Sequence, residues 1–120
     1  MDYKFINMEY LDSVSGGDSD IINEIVVIFR EQSLEIYNEM KSLLLAKNYV
    51  SLGLLAHKAK SSVAIMGMSK LAEMLKTFEL QAKGGLESQL YESYIERFFS
   101  ETQEAIKELD DLIRSRLNNN

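Results

Sequence analysis

The sequence contains no cysteine, no proline and only one histidine in 120 residues. Lack of cysteine excludes disulfides, thiolate chemistry and sulfur-ligated metal sites, and one histidine cannot build a His-rich site on its own. The fold therefore rests on its core alone, and a chain of this length is expected to be one domain, 1–120, that needs no staples. No apolar run approaches the roughly 20 residues of a membrane span. The N-terminus, MDYKFINMEY, lacks the basic and then apolar regions of a signal peptide. A cytoplasmic protein without membrane insertion is expected. Also missing are a GxxxxGK[ST] phosphate loop and any kinase ATP motif, so no autonomous kinase or ATPase activity is expected. The net charge of −6 argues against nucleic acid as a partner, because like charges repel.

What is present is Leu, Ile, Met, Glu and Lys at helical spacing, with little glycine outside two Gly-Gly pairs. That composition reads as all-α. Residues 1–17 form an arm, pinned by Phe5 and Ile6, and a short helix capped by Asn7 with Met8, Leu11 and Val14 as apolar contacts. Gly16-Gly17 ends it. Asp18 or Ser19 caps the next helix, whose stripe is Ile21, Ile22, Ile25, Phe29, Ile36, Met40, Leu43 and Leu44. Gln32 and Ser33 interrupt that stripe, so two collinear pieces or one bent rod are expected over Asp18–Ala46. After a turn at Lys47-Asn48, a third helix spans Tyr49–Met66 and stops at Gly67. Ser69 is the expected cap of a fourth, with Leu71, Met74, Leu75, Phe78 and Ala82 inward and Gly84-Gly85 at its end. The last helix starts near Glu87 or Ser88 and buries Tyr91, Tyr94, Ile95, Phe98, Ala105, Leu109 and Leu112. It runs to about Leu117, with 118–120 a frayed tail. Short turns make neighbours antiparallel, giving a mostly up-and-down four-helix bundle over 18–117 with a short extra N-terminal helix.

The third helix carries the only histidine. Leu52, Leu55, Ala59, Val63 and Met66 form its core stripe, and His57 projects about 160° from the centre of that stripe at 100° per residue. Its surroundings on the wheel are Val50, Gly53, Leu54, Ser61 and Ala64, small or apolar residues where long charged ones are usual, with Lys60 beside them. An approachable imidazole with a cation at i+3 suits a phosphoryl group, which the ammonium can balance. A lone histidine on a helix is more often an ordinary surface or core residue, so the neighbours decide its reading.

The run His57-Lys58-Ala59-Lys60-Ser61-Ser62, then Gly67, Leu71 and Phe78-Glu79, resembles the signature of the histidine-containing phosphotransfer (HPt) domain. That signature is His-x-x-Lys-Gly-Ser/Ala, a glycine ten residues after the histidine, and a Leu-Glu-like pair on the next helix. The entry INMEYLDSVSGGD is similar to the start of many such domains, so the resemblance covers nearly the whole chain. It departs at Ser61, where the family carries glycine; serine is small enough to keep the approach open. By resemblance His57 is the phosphoacceptor, Lys60 steadies the phosphoryl group and Glu79 is a possible imidazole partner facing the site. The resemblance also implies its partners: receiver domains of response regulators or hybrid histidine kinases in two-component phosphorelays. It implies no cofactor of the chain's own, Mg²⁺ being supplied by the partner receiver domain.

Charge placement fits an acidic partner and equally a solvated face of two surface helices. From His57 to Lys83 the segment is +3 and the remainder −9. Val50, Gly53, Leu54, Lys58, Ser61, Ala64 and Lys70 are the expected docking surface on a monomer. The competing reading is a non-catalytic helical adaptor or dimerisation module in which His57 is not phosphorylated.

Overall fold

The computed structural model describes residues 3–118, an N-terminal arm followed by helices joined by short turns, with no strand among the described residues. Helix α1 spans Met8–Ser15, α2 Ser19–Leu45, α3 Tyr49–Ile65, α4 Ser69–Gly84 and α5 Tyr91–Asn118, the last preceded by a 3₁₀ turn at Ser88–Leu90. Helices α2 to α5 form a four-helix bundle in which each contacts the next and α5 returns to α2. The frayed tail expected over 118–120 lies, beyond Asn118, outside the described residues.

Local chemistry sets most boundaries. Asn7 caps α1 by accepting from the Tyr10 N–H, Asp18 caps α2 through the N–H groups of Asp20 and Ile21, and Asn48 caps α3 through Ser51. Between α3 and α4 the chain turns at Gly67, whose φ of +75° is left-handed. The expected Ser69 cap is not formed. Ser69 is already helical, and Met68 holds the cap position with no side-chain hydrogen bond.

The segment Asp18–Ala46 is one helix, not two pieces. Ser33 does not break it because its hydroxyl donates to the Arg30 carbonyl at 3.2 Å, which satisfies the one polar group that burial would otherwise strand. The inward stripe is rotated from the expected one. Ile22, Val26, Phe29, Ser33, Ile36 and Met40 are buried, while Ile21 is exposed and Ile25 half-buried. A contiguous apolar run such as Ile25-Val26-Val27-Ile28-Phe29 leaves the register to the neighbouring helices. Val14 on α1 is likewise exposed, and Tyr94 on α5 only half-buried.

Length mismatch shapes the end of the bundle nearest Gly67. With 27 residues, α2 runs about 40 Å, whereas the 17 of α3 run about 25 Å. The arm and α1 cover this end, with Ile6 and Leu11 buried. One carboxylate straps the arm: Glu108 on α5 accepts the backbone N–H groups of Lys4, Phe5 and Ile6 at 2.9–3.1 Å. Gly67 makes the fit possible, since a Cβ there would stand 2.9 Å from Cβ of Asn7.

Candidate functional site

The site forms where α3 crosses α4. Along α3 the stripe Leu52, Leu55, Ala59 and Val63 is buried, and Met66 just beyond it as well, which leaves His57 on the outer side with its side chain 57% exposed. Opposite it on α4, Leu71, Met74, Leu75, Phe78 and Ala82 enter the core, and Glu79 follows Phe78 into the α3–α4 seam at 6% exposure.

Both carboxylate oxygens of Glu79 lie 3.0 Å from Nδ1 of His57. An ionised carboxylate only accepts, so Nδ1 carries the proton and Nε2 is left with the lone pair. That nitrogen makes no hydrogen bond among the described residues. Two lysines complete the cluster. Lys83, one turn after Glu79 on α4, donates to its Oε2 at 2.7 Å; Lys60 holds its Nζ 4.0 Å from Oε1. The Lys83 hydrogen bond pulls the Glu79 pKa below the ordinary carboxylate value; burial pushes the other way, and the hydrogen bond from His57 adds to the lowering.

Around the imidazole, Val50, Leu54, Ser61 and Ala64 are exposed, as is Lys58 at the side. The Ser61 hydroxyl turns back to the His57 carbonyl at 3.4 Å and leaves the ring face open. Two expected docking positions need correction. Gly53 is buried because α4 passes directly over it: a Cβ would meet Cγ of Lys83 at 2.9 Å and backbone atoms of Glu79 and Lys83 at 3.1 Å. Lys70 sits in the first turn of α4, about 13 Å along the helix from Glu79 at 1.5 Å per residue, beside Lys4, Gly67 and Arg97 at the arm end of the bundle.

A family model described as Hpt domain matches residues 24–111. The chain belongs to the Hpt domain family. Membership places it in histidine phosphotransfer of two-component signalling, where Hpt domains work with receiver domains. Comparisons with curated proteins and with solved structures gave no match. No helix among the described residues of this Hpt domain is long and apolar enough to cross a membrane.

Two features of the site are not in the sequence reading. Lys83 enters it through the i,i+4 spacing Glu79-Lys83, a visible signal that gains meaning only once Glu79 is known to be buried. Ile65 and Ile28 extend the exposed apolar surface into a groove of about 150 Å³ between α2 and α3, lined also by Ile25, Gln32 and Ser62. The rotated register of α2 is what puts Ile28 there.

Proposed function

We propose that this Hpt domain is a phosphorelay intermediate that accepts a phosphoryl group on His57 from a receiver-domain aspartyl phosphate and passes it to another receiver domain. The observation that carries the reading is the exposed imidazole whose Nδ1 faces a buried carboxylate, since that arrangement leaves Nε2 as an oriented, accessible lone pair. In the accepting step Nε2 attacks phosphorus in line. The N–P bond forms as the P–O bond to the partner's aspartate breaks, and the electron pair stays on that carboxylate. The ring then bears both Nε2–P and Nδ1–H and is formally cationic, with Glu79 as its counter-charge. Donation to the second receiver runs the same step in reverse.

Lys60, at i+3 on the same helix, is the cation within reach of the phosphoryl oxygens, and charge-assisted bonds of this kind are roughly twice as strong as neutral ones. Mg²⁺ belongs to the receiver's acidic pocket, where it neutralises the transferring group. Among the described residues of this chain there is no group of three or more His, Asp or Glu able to hold a metal. Val50, Leu54, Ser61 and Ala64 provide the docking surface around the nucleophile, and Lys58 its charged rim.

The test is a panel of phosphorylated receivers mixed with the wild-type protein and with His57→Gln. Acid-labile label is expected on the wild type and none on the variant. The helical signal should stay and melting should change little, because the Gln amide N–H can still donate to the buried Glu79 carboxylate that His57 Nδ1 serves. Label that persists on His57→Gln overturns the reading, and receivers that bind without transferring label make the chain an adaptor instead.

A further inference from the structure

The mechanism above uses His57, Glu79 and Lys60 and leaves Lys83 without a task, although its ammonium makes the shortest contact in the cluster, 2.7 Å to Oε2 of Glu79. A single buried carboxylate is thus shared by two lysines from two helices, Lys83 from α4 on one oxygen and Lys60 from α3 at 4.0 Å from the other. The two contacts differ in kind. One is a hydrogen bond, the other a longer ion pair that Lys60 can leave without breaking one.

The second observation is the slot that holds Lys83. Gly53, one turn before His57, has no side chain where Cγ of Lys83 passes; any Cβ at that place would stand 2.9 Å from it. The lysine stem therefore lies across α3 in a space that glycine leaves open, which fixes the direction from which its ammonium reaches Glu79. A surface lysine paired by i,i+4 spacing alone needs no such slot.

We infer that Lys83 is a positioning residue that holds Glu79 on Nδ1 of His57 so that Lys60 is free to swing from the carboxylate to the phosphoryl group. With Lys83 present, departure of Lys60 leaves the buried carboxylate paired. Without Lys83, Lys60 is the only ammonium on Glu79, and its departure would leave the buried carboxylate to the ring N–H of His57 alone; losing that second cation is costly, so Lys60 is held back and the phosphoryl group loses its partner. The inference rests on phosphorylation of His57 as proposed above, and it adds a division of labour between two cations that share one anion.

A double-mutant cycle on residues 60 and 83 tests it, read as the lifetime of phosphohistidine made with a small donor such as phosphoramidate, so that receiver docking plays no part. In the wild-type background Lys60→Ala should shorten the lifetime about tenfold, as loss of a charge-assisted bond implies. Lys83→Met, which keeps the stem and removes the charge, should shorten it by a similar factor, and adding Lys60→Ala to it should change little. Lys83→Arg should restore most of the wild-type lifetime. A purely structural role for Lys83 predicts a lower melting temperature with the full effect of Lys60→Ala retained. Should Lys83→Met melt below the assay temperature, Lys83→Gln, which leaves a polar partner on Glu79, carries the same comparison. Independent, multiplying effects of the two substitutions, or a lifetime indifferent to residue 83, overturn the inference and leave the function of His57 standing. Absence of label on wild-type His57 removes the underlying reading instead.

Discussion

Glu79 shows how one residue joins stability to function. Lys83 and His57 both bond to this carboxylate deep in a helix seam and favour its ionised form against burial, the Lys83 bond being the larger cause of its lowered pKa. A depressed carboxylate pKa means that the folded state binds its proton less readily than the unfolded state does. Its stabilising contribution is then fully present above the ordinary carboxylate value and is lost as pH falls through the lower, folded value. Glu79→Gln cannot titrate. Wild type should therefore melt above Glu79→Gln at neutral pH, with the gap closing in the acid range; a gap independent of pH would show that the charge of Glu79 contributes nothing. The same substitution should slow phosphorylation of His57 at neutral pH, because an amide can donate to Nδ1 as well as accept from it and so releases the tautomer. Imidazole ¹⁵N shifts check this directly, with an Nδ1–H, Nε2-lone-pair signature expected in wild type and a mixed one in the variant.

At the scale of elements, two glycines do different work on the same helix pair. Gly53 permits the α3–α4 approach that presents Glu79 to His57, and a Cβ there meets backbone of Glu79 and Lys83 at 3.1 Å, which cannot rotate out of the way. Gly67 makes the turn with φ at +75° and receives Asn7 of the arm. Gly53→Ala should thus lower both melting temperature and phosphorylation rate, because helix spacing and site geometry are one variable. Gly67→Ala should cost about 1 kcal/mol or more of stability, from the left-handed backbone and the Asn7 contact, with phosphorylation of the folded fraction retained. Equal losses of rate per folded molecule in both variants would contradict this separation. These two positions also mark what the sequence could tell. Gly67 was legible because a helix end and a glycine are local signals, as were the Asn7 and Asp18 caps and the stripe around His57. The burial of Gly53, the register of α2 and the pairing of Lys83 were not, since each depends on where a second helix crosses. Period alone orients a helix only when its apolar positions are sparse, and α2 has too many. Ser33 left one helix or two open for the opposite reason: a polar residue in a core stripe can read as a break, yet here its own helix satisfies it.

On the whole molecule, the ends and faces are unequally covered. The arm and α1 seal the end near Gly67, and the α2–α5 seam is tied by Arg30 to Asp110 and by Tyr37, which stacks on Phe99 and donates to Glu96. Nothing among the described residues covers the outer side of α3, where Val50 and Leu54 are about 60% exposed beside His57. Apolar side chains grouped around a nucleophile, with Lys58 at their edge, have the make-up of a transient interface whose centre is apolar and whose rim is charged. Leu54→Arg should therefore reduce transfer from a phosphorylated receiver by tenfold or more, since it places a desolvated cation at the centre of the contact. Phosphorylation of His57 by phosphoramidate should be unchanged, because the ring, Glu79 and both lysines are untouched, and melting should change little because Leu54 is mostly exposed. Added salt should act differently, slowing association with an acidic receiver by screening Lys58 while leaving dissociation nearly constant. Leu54→Arg adds a cation to the same surface, so its association should fall more steeply with salt than that of the wild type. If Leu54→Arg instead loses both reactions together with its thermal transition, Leu54 belongs to the core and the patch is refuted. If it loses neither, receivers dock elsewhere, and the groove between α2 and α3 at Ile28 and Ile65 is the surface to substitute next.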